Sequence, residues 1–470
     1  MKMTRKTLRT TCLAMAGLLL PGGVFAQEEP AENDSLALTL DKAIEIALTE
    51  NPSIKVADKE IEKVDYSRKE AWAGLIPSIS AEGRYSRNVK KPVMFLPEDS
   101  PFGGGMGGEG GGSNTIEIGY DNSYSGSVSA SMPLFNMSLF RNIQMTEVEM
   151  EQALESARQS RVNMVNEVKK AYFNCLLAND SYHVVKRSLE NARENFEDTK
   201  RMFDQGAAAE YDVIRSEVQV RNLEPSLTEA KNGRNMAALS LKILLGLDNG
   251  VPLKFNENLM AFSDLIEQMP DDPQQDISNN SQMRQLNIQE MQLEEQFKLT
   301  RAQRYPTLSG FLNYQFQTEA NDFEFGSYEW VTPIVAGVSV QIPIFNGFSV
   351  SYQEKKVEVN MEQLAYRREN TARQITASVI NEFNSMESAV RKVESGKAAV
   401  RQARRGYEIA QTRYETGAGT LLELNDAEIA LTQARLNLNE ARFDFLSARA
   451  EYEKVLGENL PAEYKPETGE

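Results

Sequence analysis

Between Asn136 and Gln205 the chain has neither glycine nor proline. Nothing there interrupts a helix, and at 1.5 Å rise per residue the segment would be about 100 Å long. Within it Val168, Cys175, Tyr182, Leu189, Phe196 and Phe203 recur every seven residues. A second segment, Phe348 to Thr416, lacks proline and holds only Gly396 and Gly406. It repeats the pattern with Ala372, Val379, Met386, Val393, Val400, Tyr407 and Tyr414. Rods of this length with a sustained heptad pattern pack lengthwise, in coiled-coil fashion. Cys175 lies in that seam and reads as packing, not as a nucleophile.

The two rods belong to two copies of one unit. Ala73-Gly74-Leu75-Ile76-Pro77-Ser78-Ile79-Ser80 resembles Ala302-Gln303-Arg304-Tyr305-Pro306-Thr307-Leu308-Ser309. Pro133-Leu134-Phe135-Asn136 matches Pro343-Ile344-Phe345-Asn346, and Phe203-Asp204-Gln205-Gly206-Ala207 matches Tyr414-Glu415-Thr416-Gly417-Ala418. The spacing shrinks after the first pair, so the first copy carries a longer insertion, which contains SPFGGGMGGEGGGS (residues 100–113). Tandem duplication is the organising feature. Each copy reads helix, strand, loop, strand, very long helix, turn, return helix. Asn51-Pro52 suits a helix start, and Pro77 should end that helix. The first return helix should be interrupted, with a kink, at Pro225.

The strands alternate. Ser123, Ser125, Ser127, Ser129 and Ser131 share one face; Tyr124, Val128, Ala130, Met132 and Leu134 share the other. In the second copy Ile334, Ala336, Val338, Val340, Ile342 and Ile344 stand against Ser339 and Gln341. Period two with one apolar face is the strand signature. That face must meet lipid or a packed core; a soluble β-sandwich is the alternative. Four strands cannot close a barrel, and an open edge in hydrocarbon is costly. Two, three or four chains would have to contribute to one barrel. Pro77, Pro133, Pro306 and Pro343 lie where strand and helix meet. Phe135, Phe345, Tyr85, Tyr120, Tyr314 and Trp330 suit a membrane interface.

The layout is then a signal peptide (1–26) and a first repeat (27–240) with strands near 77–92 and 118–135, a long helix at 137–205 and a return helix at 210–245. A connector (241–280) follows. The second repeat (281–456) has strands near 306–318 and 331–345, a long helix at 348–416 and a return helix at 420–456, before a tail at 457–470. Lys2, Arg5, Lys6 and Arg9, an apolar run from Cys12 to Leu20 and Val24-Phe25-Ala26 make up the signal peptide.

Composition narrows the function. The formal net charge of the whole chain is −17, and removing the basic leader makes it more acidic, which argues against nucleic acid. With Cys175 and His183 as the only cysteine and histidine after the leader, no intrachain disulfide is possible; the sequence shows no Ser/His/Asp, Cys/His or metal-ligand arrangement, and most such schemes are excluded. No cofactor and no enzymatic activity are expected. The run Gly103 to Gly108 satisfies GxGxxG formally, but no βαβ unit surrounds it, so it is read as a loop.

At this point a family resemblance enters. Leu38-Thr39-Leu40-Asp41-Lys42-Ala43-Ile44-Glu45-Ile46-Ala47-Leu48, followed by Asn51-Pro52, is similar to the opening helix of the TolC-like outer-membrane efflux proteins. Ile76-Pro77-Ser78-Ile79-Ser80 resembles their first strand entry. Arg413-Tyr414 to Gly417, then Thr420-Leu421-Leu422-Glu423-Leu424 and Ala427, resembles their periplasmic turn. The resemblance implies a homotrimer whose twelve-stranded outer-membrane barrel, four strands per chain, continues into a periplasmic α-helical barrel. A belt would form from residues 246–280 and the C-terminal segment. It also implies a periplasmic adaptor and an inner-membrane transporter of RND or ABC type as partners, and export of small molecules or proteins.

The resemblance further implies site residues. Glu423 and Asp426 share a helix face and match the constricting carboxylates, whose rings would favour cations; a solvated acidic face is the alternative. Tyr414 and Asp212 match the contacts that hold the closed tip. The family's partner arginine would fall at Gly419, which cannot supply that contact, and Arg215 is a conceivable substitute. The turns Gly206-Ala207-Ala208-Ala209 and Gly417-Ala418-Gly419-Thr420 would receive the adaptor, or simply turn the chain. The competing readings are an outer-membrane-anchored coiled-coil scaffold or adhesin, and a secreted enzyme.

Overall fold

The computed structural model describes residues 36–95 and 115–460. The segment read as a signal peptide, the glycine-rich stretch 100–113 and residues 461–470 lie outside the described residues. In chain order the elements are β1 (Leu36–Leu38), α1 (Leu40–Glu50), α2 (Pro52–Ala73), β2 (Ser78–Arg87), β3 (Val93–Phe95), β4 (Thr115–Glu117), β5 (Asn122–Phe135), α3 (Met137–Asp204) and α4 (Glu210–Leu245). The second half follows with β6 (Leu253–Phe255), α5 (Ser263–Glu267), α6 (Ser281–Ala302), β7 (Thr307–Ala320), β8 (Ile334–Gln341), α7 (Ser349–Glu415) and α8 (Leu421–Leu456).

Local chemistry sets several boundaries. The Asn51 side chain accepts from the Ser53 amide with Pro52 at the first helical position, and its Nδ2 donates to the Leu244 carbonyl at 2.8 Å. One residue thus starts α2 and ties it to the end of α4. Asn136 accepts from the amides of Ser138 and Leu139 and starts α3. Its counterpart Asn346 does not do this for α7: Gly347 and Phe348 are both left-handed (φ 63° each), so that helix begins at Ser349 without a side-chain cap. The two copies therefore differ at the junction where their sequences agree best.

The strands β2, β5, β7 and β8 form one antiparallel sheet in that order. Ala81, Val128, Tyr314 and Ile334 lie side by side across all four strands, and Ile79, Ala130, Met132, Leu312, Phe316, Ala336, Val338 and Val340 share their face. That face is open: Ile79 is 74% exposed and Val338 62%. Ser78, Ser80, Ser127, Ser129, Asn313 and Gln315 occupy the other face, where Ser78 and Ser131 share a hydrogen bond of 2.9 Å. No second sheet covers the apolar side among the described residues. β5 is flanked on both sides and runs through Pro133 to Phe135 with a register shift there. β8 has one neighbour only and stops at Gln341, short of the expected 345. On either side of the glycine-rich stretch in sequence, β3 and β4 pair antiparallel, which alternation alone did not reveal.

The rods pair as two helical hairpins, α3 with α4 and α7 with α8. Their deepest packing is at one level. Leu38, Ala43 and Ala47 meet Val165, Val168 and Leu176 of α3, Leu241 and Leu245 of α4, Val379 and Met386 of α7, and Phe445 of α8. Tyr172 is fully buried there; its hydroxyl donates to Glu257 (2.7 Å) or the Leu38 carbonyl (3.1 Å). β1 and β6 pair in parallel beside it, so the connector is an ordered part of this belt. Cys175 belongs to the same cluster, and burial pushes its thiol up to about 12, which removes the thiolate a nucleophile needs. His183 is exposed, stacked edge-on to Tyr182.

Between belt and sheet, Arg158 and Glu155 form a buried bidentate pair on α3, Nη2 donating to Oε1 at 2.7 Å and Nε to Oε2 at 2.9 Å. Arg284 of α6 adds a third contact to Glu155 at 2.9 Å, and Arg158 also donates to the Asn279 carbonyl and Ser281 hydroxyl. This knot fixes the start of α6 against α3. Below the belt the hairpins rely on small clusters: Leu189, Ala192 and Val220 in one, Val393, Leu438 and Ala441 in the other.

One expectation is corrected. α4 is not interrupted at Pro225; it is helical from Glu210 to Leu245. Leu223 and Leu227 pack on the α3 cluster on either side of the proline, so side-chain burial carries the helix past the missing amide.

Candidate functional site at the hairpin tips

Both hairpins reverse through a left-handed glycine, Gly206 (φ 75°) and Gly417 (φ 72°), where no Cβ is tolerated cheaply. Ala207 and Ala209 are exposed and Ala208 half-buried in the first turn; Ala418 is exposed and Gly419 half-buried in the second. Ala209 starts α4 with no side-chain cap, so the acidic first turn of Glu210 and Asp212 is its main dipole complement. Thr420 starts α8 by accepting from the Glu423 amide at 3.2 Å. Thr420 and Glu423 thus hold the spacing of a capping box.

Glu423 has a further contact that spacing did not suggest. Its carboxylate lies 3.5 Å from Arg413, whose guanidinium also donates to the Ala418 carbonyl at 3.0 Å. A Cβ on Gly419 would sit 2.9 Å from Arg413 Cβ and 3.1 Å from Glu423 Oε2. Glycine at 419 is therefore what lets Arg413 fold over the turn. Asp426, one turn further on, is exposed. The structure brings Glu423 and Asp426 to the same end of α8.

Tyr414 and Asp212 are not brought together by a hydrogen bond among the described residues. The Tyr414 hydroxyl instead shares a bond of 2.8 Å with Thr199, which is fully buried on α3. Asp212 is half-buried in the first turn of α4, and Arg215 one turn later makes no ion pair among the described residues. Near the turns, a hydrogen bond between Tyr414 and Thr199 thus links the two hairpins within one chain.

Sequence reading missed one residue of this region. Glu428 on α8 is 2% exposed, and neither carboxylate oxygen has a hydrogen-bond partner among the described residues. Burial pushes it up to about 7, with Glu194 adding to the rise and the neighbouring Asn191 amide opposing it. The signal was present. Leu421, Leu424, Glu428 and Leu431 follow the three-four spacing of a buried seam, and a glutamate at such a position is an exception that needs a reason.

Among the described residues no group of three metal-ligating side chains converges, and no helix is long and apolar enough to cross a membrane.

Comparison with known proteins places this geometry. The family model described as "Outer membrane efflux protein" matches residues 43–247 and 273–458. The alkaline protease secretion protein AprF of Pseudomonas aeruginosa is 22% identical over 424 residues, covering 89% of this chain and 84% of its own. The outer membrane protein TolC of Escherichia coli is 21% identical over 358 residues, covering 72% and 70%. Among solved structures, CusC superposes with a TM-score of 0.68 at 17% identity over 92% of this chain and 95% of its own. VceC of Vibrio cholerae gives 0.65 at 16% over 89% and 96%. The duplicated hairpins, the single four-stranded sheet and a match spanning both repeats lead to one conclusion: this chain belongs to the outer membrane efflux protein family.

Proposed function

We propose that the protein is the outer-membrane conduit of an export system, a passive channel that does no covalent chemistry. The observation that carries this reading is the sheet. Its apolar face is uncovered, its opposite face is lined with serine, and β2 and β8 each leave one edge unpaired. In a bilayer those edges need partners, because no water is present to satisfy them. Further copies of the chain supply them, β8 of one against β2 of the next. Three copies give a twelve-stranded barrel, large enough for a water-filled bore. The rods, each about 100 Å long, then carry the bore through the periplasm.

In that assembly Glu423 and Asp426 ring the narrow end and favour cations, with Arg413 drawing charge from the Glu423 ring. The turns Gly206 to Ala209 and Gly417 to Thr420 present small side chains to a periplasmic adaptor hairpin. An inner-membrane transporter, of RND or ABC type, supplies the energy. Cargo is small molecules or protein.

Planar-bilayer recording of the purified protein tests the reading. Stable, cation-selective conductance is expected, with selectivity reduced in the double variant Glu423→Gln, Asp426→Asn. A monomer in detergent that inserts but never conducts points to an anchored scaffold instead.

A further inference from the structure

Every seventh residue along α8 runs Leu421, Glu428, Arg435, Arg442, Arg449, Leu456. A seam position that should be apolar is charged four times in succession. The partner is α3, and the register between these antiparallel helices is fixed. Lys169 meets Glu453 at 2.6 Å, and the Thr432 hydroxyl reaches Ser188 at 3.4 Å. In this register Asp180 falls level with Arg442, Arg187 with Arg435, and Glu194 with Glu428.

The seam changes character along its length. At the belt its rungs are complementary: Lys169 with Glu453, and Asp180 with Arg442, each of the latter drawn to the other's charge. Towards the turns they are alike. Arg187 and Arg404 both disfavour the charge on half-buried Arg435, and Glu194 disfavours the charge on buried Glu428. Burial alone already disfavours the charge on Glu428 and on Arg435, and a like charge at the same rung disfavours it further. The groups around Glu428 are Glu194 and Asn191 on α3, and Tyr407 on α7, with Arg187 and Arg435 a rung away. None forms an ion pair with it, and the Asn195 amide nitrogen on the same stretch of α3 is also without a partner among the described residues.

We propose that the Glu194–Glu428 rung is a proton-operated latch between the two hairpins. A proton on Glu428 lets the seam close; its loss drives α8 away from α3 at the tip. The latch rests on the conduit reading above and deepens it.

The direction follows from linkage. Closure buries Glu428 and raises its proton affinity; opening returns it to water and to the ordinary carboxylate range. In acid, below that ordinary range, both states hold the proton and closure carries no penalty. As pH rises from there through about 7, the open state sheds its proton first and gains. The open-to-closed ratio changes by about two orders of magnitude per chain.

The test is the pH profile of conductance of the full assembly in planar bilayers. Open probability of the unmodified protein is expected to rise with pH from the ordinary carboxylate range to about 7 and to level off above it. Glu428→Gln keeps the shape and cannot ionise; it is expected to stay largely closed, with a flat profile. Glu194→Gln, at an exposed position, is expected to move the midpoint to lower pH. A Glu428→Gln profile that matches the unmodified one overturns the latch. If Glu428→Gln fails to assemble, an unmoved midpoint in Glu194→Gln does so. Absence of conductance at every pH overturns the conduit, and infrared titration then judges the latch alone. A carboxyl band that disappears near neutral pH and shifts in Glu194→Gln supports it; a band unaffected by that change overturns it.

Discussion

Phe316 lies across Gly126. The two face each other in the β5–β7 ladder, and a Cβ on the glycine would sit 2.1 Å from the ring's Cζ. The ring takes the place of the missing side chain and covers the backbone on the apolar side of the sheet. Phe311 does the same for Gly337 on the opposite face, where a Cβ would meet the ring at 2.9 Å. Aromatic cover of a strand glycine also pins the register of its neighbours.

Gly126→Ala should therefore push Phe316 out of its rotamer, at a cost of about 1–3 kcal/mol. The expected outcome is a lower melting temperature of the detergent-solubilised assembly. Phe316→Ala in the same chain should recover part of it. Equal stability of Gly126→Ala and the parent would show that the ring moves freely.

The knot at Glu155 should be intolerant of losing one member. Glu155→Gln leaves Arg158 buried with a weaker acceptor and Arg284 without its carboxylate. Removing one partner of a buried pair costs about 3–5 kcal/mol. Chemical denaturation should show that loss. Replacing Lys42, whose pair with Glu45 is exposed on both sides, should change stability by less than about 1 kcal/mol.

At the tip, Tyr414→Phe removes the bond to buried Thr199 and leaves that hydroxyl its helical acceptor, the Asn195 carbonyl. A net loss of about 0.5–1.5 kcal/mol from the inter-hairpin contact should appear as more frequent openings in single-channel records. Asp212→Ala should have the smaller effect, since no bond joins it to Tyr414 among the described residues. Should Asp212→Ala open the channel as often as Tyr414→Phe, the contact that holds the tip lies between chains.

Cys175 should resist alkylation in the folded protein, because burial holds the thiol protonated. Reaction with iodoacetamide at neutral pH is expected only once the belt unfolds. Cys175→Ser should destabilise the belt by about 1–3 kcal/mol, by placing a hydroxyl among apolar neighbours, with a carbonyl one turn back on α3 as its ready acceptor.

The long elements were legible because their signals are local and repeated. Heptads from Val168 to Phe203 give α3, and alternation from Ser123 to Leu134 gives β5 and its two faces. What stayed hidden depends on neighbours. Pro225 should break a helix, yet Leu223 and Leu227 hold α4 to α3. Asn346 repeats Asn136 in sequence but does not cap, because the following Gly347-Phe348 turns left-handed before the helix begins. Glu428 was passed over because a search for apolar repeats sees a charged seam residue as a gap. The resemblance sets Tyr414 with Asp212; within one chain the Tyr414 hydroxyl pairs with Thr199, on the long helix of the other hairpin, a contact that no local pattern signals. What pairs with the free edges of β2 and β8 is not found within one chain among the described residues.

That last point bears on biogenesis. With β2 and β8 each lacking a neighbour, a solitary newly exported polypeptide has no stable way to enter lipid. In the proposed barrel, association must precede or accompany insertion, and a misfolded sister would spoil every ring it joined. Co-expressed defective alleles should on that account be dominant.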